Sequence, residues 1–155
     1  MKIVLLAVGK TKEKYLQEGV EEYVKRLGRF ATFEIVVVPE GKTTDANLNR
    51  QKEGEAILAK VDKTDYLVLL DEKGKQFTSE KFAAYIDNKA AFGTKTLVFA
   101  IGGAFGFSDK VYDRAAEKIA LSEMTFSHQM VRLFFTEQLY RAFTIIKGHP
   151  YHNEG

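Results

Sequence analysis

Four short apolar runs recur along the chain: Ile3 to Val8 (IVLLAV), Phe33 to Val38 (FEIVVV), Tyr66 to Leu70 (YLVLL) and Thr96 to Ile101 (TLVFAI). None shows the polar alternation of a half-exposed strand. Rich in valine, leucine and isoleucine, they read as strands covered on both faces, and such strands belong to parallel sheets. Parallel pairing requires long crossover connections, and the intervening segments supply them. Tyr15, Leu16, Gly19, Val20, Tyr23, Val24 and Leu27 recur at three-to-four spacing, as do Phe82, Ala83, Ile86 and Ala90. The segment from Asp45 to Val61 is more polar, with Ile57, Leu58 and Val61 as its apolar end. The order βαβαβαβ predicts an α/β fold with a mostly parallel sheet flanked by helices.

Past Gly106 the pattern predicts a helix from about Ser108 to Lys118 with Ser108 as N-cap, then a short fifth strand at IALS. A last helix should run from Ser127 or His128 to Lys147. Val131, Phe134, Phe135, Gln138, Leu139, Ala142, Phe143 and Ile146 form one broad stripe on it, wide enough for core and interface together. Gly148 and Pro150 should end it. With 155 residues, no internal repeat and no linker, one domain over residues 1–155 is expected. Cysteine is absent, which removes disulfides and thiol nucleophiles and fits a reducing, cytoplasmic setting. The N-terminal apolar run meets lysines at once and has no small-residue cleavage site, so it reads as a buried strand rather than a signal peptide. No run approaches the roughly 18 apolar residues of a membrane span. A net charge of +2 is compatible with a nucleic-acid partner without requiring one.

Ligands of open parallel sheets sit outside the carboxyl ends of strands, so the loops after Val8, Val38, Leu70 and Ile101 carry the chemistry. The first, GKTKEK, lacks G-x-G-x-x-G, which argues against a dinucleotide-binding domain and against the ordinary methyltransferase fold. Walker A and G-x-S-x-G patterns are missing as well. His128, His149 and His152 have no acidic cluster beside them, so no metal site is expected. The third and fourth loops, LLDEKGKQFTS and AIGGAFGF, place glycine just past a buried strand. Two readings stand there. Either backbone approaches a flat, adenine-sized ring, with Leu70, Ile101, Phe105 and Phe107 as apolar contacts, or the glycines only allow a tight turn and the phenylalanines are core. Without a following lysine-threonine or lysine-serine pair, the loop is poorly made for phosphates.

IGGAFGF followed by LSEMTFSHQMVRLFFTEQLYRAFTIIKGHPYH resembles the SPOUT methyltransferases, and among them the RlmH family, which methylates N3 of a pseudouridine in large-subunit ribosomal RNA. The resemblance runs from AVGK and EYVKRL through KEGE and LDEKGK to the terminal HPYH, and LS-x-MTF-x-H and EQLYRAF are its most specific parts. It implies a deep C-terminal trefoil knot that builds the cofactor pocket. It further implies S-adenosylmethionine (S-adenosyl-L-methionine) against Leu70, Gly102 and Ser122, Glu123, Met124, Thr125, Phe126 and Ser127, with Gly103 adjacent. The family commonly has proline before the histidine where this chain has Ser127, which suits Ser127 to capping the final helix. Many relatives carry a basic residue after the terminal tyrosine and histidine, where this chain has Asn153.

Methyl transfer from a sulfonium is an in-line displacement in which the protein aligns the nucleophilic nitrogen, and N3 must also lose a proton. Among residues matching the terminal motif, His152 is the candidate base and Tyr151 a candidate to stack on or bond the nucleobase. Arg141 would hold phosphate or developing negative charge, with Arg132 able to do the same from another helical face. Spacing alone equally allows an Arg141 ion pair to Glu137, and a solvated tail for His149 and His152. The resemblance also implies a homodimer acting on the assembled ribosome. A noncatalytic module binding an adenosine ligand, and a SPOUT enzyme acting on another RNA, are the alternatives.

Overall fold

The computed structural model describes residues 1–154. Five strands and six helices alternate: β1 (Lys2–Val8), α1 (Lys14–Leu27), β2 (Thr32–Val38), α2 (Ala46–Leu58), β3 (Tyr66–Gln76), α3 (Ser79–Ala91), β4 (Thr96–Ile101), α4 (Asp109–Arg114), β5 (Glu117–Ala120), α5 (Met130–Ile146) and α6 (Tyr151–Glu154). The strands form one sheet in the order β2-β1-β4-β3-β5, every pairing parallel. The strands expected from uninterrupted apolar runs are all present.

Their two-sided burial is visible residue by residue. Ile3, Leu5, Leu97, Phe99 and Ile101 pack with α1, α3 and α5 on one face, through Leu27, Ile86, Phe135 and Leu139. Val4, Leu6, Val98 and Ala100 pack with α2 and α4 on the other, through Ile57 and Val111. Successive side chains point to opposite faces, so helices on both faces demand apolar residues at every position.

Three expectations need correcting. The glycine-bearing stretch after Leu70 is not a free loop: β3 continues to Gln76, with a register shift between Leu70 and Lys75 that lets Ile119 of β5 pair with both. Gly74 permits this, since a Cβ there would lie 2.6 Å from the backbone of Lys118 and Ile119. The helix expected to reach Lys118 stops at Arg114, because residues from Glu117 onward pair with β3. Ser108 does occupy the N-cap position, but its side chain makes no capping bond and instead sits against Gly54 of α2.

The final helix starts at Met130, with the Ser127 hydroxyl accepting the Met130 N–H at 3.1 Å. It ends in a Schellman turn: Gly148 takes φ +68°, its N–H bonds the Ile145 carbonyl, and the His149 N–H bonds the Thr144 carbonyl at 2.8 Å. That left-handed residue turns the chain back, so the tail is not a solvated extension. Tyr151 packs edge-on against Tyr140, ring centroids 4.8 Å apart.

Candidate active site

The carboxyl ends of β3 and β4 open into a cleft of about 690 Å³. Leu70, Ile101, the 102–107 turn and the segment after β5 line it, together with Arg50, Asp71, Glu72, Lys73 and Tyr112. That segment starts at the β5 edge of the sheet, yet Gln129 at its end bonds the loop after β1. The Lys12 N–H donates to Gln129 Oε1 at 2.9 Å, and Gln129 Nε2 donates to the Lys10 carbonyl at 3.1 Å. Residues 121–129 therefore cross above the ends of β3 and β4.

Of the nine residues expected at a cofactor, eight line this one cleft: Leu70, Gly102, Gly103, Ser122, Met124, Thr125, Phe126 and Ser127. Glu123 is exposed and is not part of the lining. The two readings of the glycine loop both hold in part. Phe107 is buried core, whereas Phe105 is exposed at the cleft. Gly106 takes φ +82°, a conformation that disfavours any side chain, and its N–H closes the turn on the Gly103 carbonyl at 3.1 Å.

The polar groups of the cleft are largely engaged with one another. Tyr112 donates to Asp71, and burial together with that bond pushes its hydroxyl up to about 12. The Thr125 hydroxyl donates to Glu72, and the Ser122 hydroxyl accepts the Met124 N–H at 3.0 Å. His128 also lines the cleft; burial holds its imidazole below the usual histidine range, and the adjacent Arg132 cation adds to this.

Arg132 itself corrects an expectation. It is 1% exposed, so it is no contact for RNA phosphate. Its guanidinium donates at 2.7 Å to the Val8 carbonyl and at 2.7 Å to the Gly9 carbonyl, and at 3.1 Å to the Thr11 hydroxyl. It ties α5 to the carboxyl end of β1. The readable signal was its position on the face of Phe135, Thr136 and Leu139, all buried. An arginine in such a stripe must find buried acceptors.

Arg141, Tyr151 and His152 form a second cluster. Arg141 pairs with Glu137 at 2.6 Å, and the Tyr151 hydroxyl donates to the same carboxylate oxygen at 3.0 Å and meets the Tyr23 hydroxyl at 3.2 Å. The guanidinium of Arg141 lies 3.2 Å from His152 Nδ1. A guanidinium only donates, so Nδ1 accepts and the ring proton sits on Nε2, which faces Glu80 Oε1 at 2.8 Å. That bond holds the Glu80 carboxyl below its usual range. The expected ion pair with Glu137 is thus present, together with the tail contacts. None of the three residues lines the cleft of its own chain. Arg141 is ten residues along α5 from Val131 at the cleft, or about 15 Å of helix.

Among the described residues there is no group of three or more histidine, aspartate or glutamate side chains placed to hold a metal ion, and no helix long and apolar enough to cross a membrane.

A family model described as "Predicted SPOUT methyltransferase" matches residues 1–152. A protein of Christiangramia forsetii named ribosomal RNA large subunit methyltransferase H is 54% identical over 156 residues, covering 99% of each chain. Proteins of the same name from Porphyromonas gingivalis and Parabacteroides distasonis are 48% and 51% identical, again over 99% of this chain and 100% of theirs. Agreement of this extent along the whole length, on a parallel sheet with its cleft at the strand ends, means that the chain belongs to the SPOUT methyltransferases, in the family of ribosomal RNA large subunit methyltransferase H.

Proposed function

We propose that the chain, acting as one SPOUT domain over residues 1–155, transfers a methyl group from S-adenosylmethionine to N3 of a pseudouridine in large-subunit ribosomal RNA. The observation that carries the reading is the cleft walled by the glycine turn and by residues 121–128, whose size is that of a small-molecule site. The lining fits the cofactor: apolar Leu70, Ile101 and Phe126 suit a purine ring, and glycine backbone allows close approach. S-adenosylmethionine held there supplies an activated methyl group. Leu70, Gly102, Gly103, Ser122, Met124, Thr125, Phe126 and Ser127 bind and orient it. Glu123 contributes only through its place in the chain.

The tail cluster handles the base. Tyr151 stacks on or bonds the pseudouridine, His152 takes the N3 proton, and Arg141 steadies negative charge as the nitrogen attacks. For His152 to accept a proton, Nδ1 must exchange Arg141 for the substrate, so docking of RNA rearranges this cluster. Because the cluster stands about 15 Å along α5 from its own cleft, each site draws its tail from the other subunit of a homodimer. The path of residues 121–129 over the strand ends, and the anchoring of α5 on β1, support a deep trefoil knot. Asn153 adds no cation to the tail, and a net charge of +2 is small for tight binding to naked RNA, so recognition rests on the shape of the assembled ribosome in the cytoplasm.

The deciding experiment is transfer of labelled methyl from S-adenosylmethionine to ribosomes lacking the modification, beside free subunits and naked RNA. Label on N3 of a pseudouridine in large-subunit RNA of whole ribosomes is the expected result. Cofactor binding with no label on any substrate would leave an adenosine-ligand module, and label on a different RNA would leave a SPOUT enzyme of other specificity.

A further inference from the structure

The KEGE stretch lies in α2, which packs against the glycine turn through Glu53. Glu53 is 4% exposed there, and its two carboxylate oxygens differ. Oε2 accepts the Gly41 N–H at 2.8 Å, in the turn after β2. Oε1 is buried and has no hydrogen-bond partner among the described residues. Buried oxygens left without a donor are rare, and each asks for a reason. Beside this one is Gly103, where a Cβ would lie 2.5 Å from Oε1. Gly103 is not among the glycines with positive φ, so its backbone would tolerate a side chain. What one would meet is the Glu53 carboxylate. Arg50, one turn earlier on α2, reaches the Phe105 carbonyl at 3.5 Å, so the helix meets the same turn twice.

We propose that Glu53 is a positioning residue for the cofactor cleft: Oε2 anchors the turn after β2, and Oε1 receives a backbone N–H of the 102–106 turn when the cleft is loaded. Glu53 is not part of the cleft lining and acts through Gly103, which is. The inference rests on the S-adenosylmethionine reading above. Burial, opposed by the Gly41 bond, holds the carboxyl above its usual range, in keeping with an oxygen that lacks its donor.

Calorimetry with S-adenosylmethionine on the full chain, with thermal midpoints measured in parallel, tests this. Glu53→Gln keeps the shape and can still accept from Gly41, but presents an NH₂ donor where an acceptor is needed. It should weaken binding by about 10- to 100-fold while the midpoint stays within a few degrees. Gly103→Ala, which would put a Cβ 2.5 Å from Oε1 and press the turn off the carboxylate, should weaken binding as well. Wild-type affinity in a folded Glu53→Gln variant overturns the proposal. So does wild-type affinity in a folded Gly103→Ala variant, and that measurement decides the matter if Glu53→Gln does not fold. No binding by the wild-type chain would instead remove the cofactor reading, and this inference with it.

Discussion

Replacing Arg132 by methionine removes a buried cation while keeping a side chain of similar length in the stripe of α5. The guanidinium now satisfies the Val8 and Gly9 carbonyls, at 2.7 Å each, at a point where Val8 is fully buried. Without it two carbonyls lose their donor, each costing about 1–3 kcal/mol. Part of that is returned, because the folded state no longer has to strip water from a guanidinium, a cost reflected in burial holding the Arg132 pKa below its usual range. A net loss of about 3 kcal/mol is expected. For a chain of this size that corresponds to a fall in Tm of about 6–12 °C. Marginal stability of about 5–15 kcal/mol leaves the variant folded. Arg132→Lys, able to reach one carbonyl, should lose roughly half as much. Urea unfolding at fixed protein concentration measures this, with an unchanged m-value as the sign that only stability moved. A loss below about 1 kcal/mol for Arg132→Met would refute the argument that this cation secures α5 to β1. Because His128, one turn before Arg132, and its neighbour Val131 line the cleft, cofactor affinity should fall along with stability.

Three further outcomes are expected. His128 has its pKa lowered by burial and by Arg132, so the unfolded chain binds the proton more readily; the stability it contributes is present above about pH 6.5 and is lost as pH falls through the lower folded value. Thermal midpoints between pH 8 and pH 5 should therefore decline more steeply for the wild type than for His128→Gln, and parallel curves would rule this out. Gly106→Ala meets no atom within 4 Å of its new Cβ, so its cost is the left-handed backbone alone, about 1–2 kcal/mol, visible in denaturant titration together with weaker cofactor binding. If the chain works as the homodimer proposed above, mixing a cleft-defective chain with a tail-defective chain should restore about a quarter of wild-type methylation, since half the dimers would then hold one intact site of two. If cleft and tail of one chain worked together, mixing would restore nothing.

The apolar runs placed β1, β2 and β4 within a residue at both ends and the start of β3, because burial on both faces is written into every side chain of a parallel strand. The three-to-four stripes placed α1, α3 and α5, and Gly148 the end of α5, for the same local reason. Glycine past a buried strand pointed to the cleft at β4, and the family resemblance gathered eight residues that do line it. What local patterns could not hold was pairing between distant segments. The continuation of β3 to Gln76 depends on β5, and the burial of Arg132 depends on carbonyls more than 120 residues away. The tail looked solvated until the turn at Gly148 set Tyr151 and His152 against α5, α1 and α3. A side chain at residue 103 would meet a carboxylate on α2, a neighbour invisible from the surrounding sequence. Composition and periodicity report which faces are covered, and only the packed chain decides what covers them.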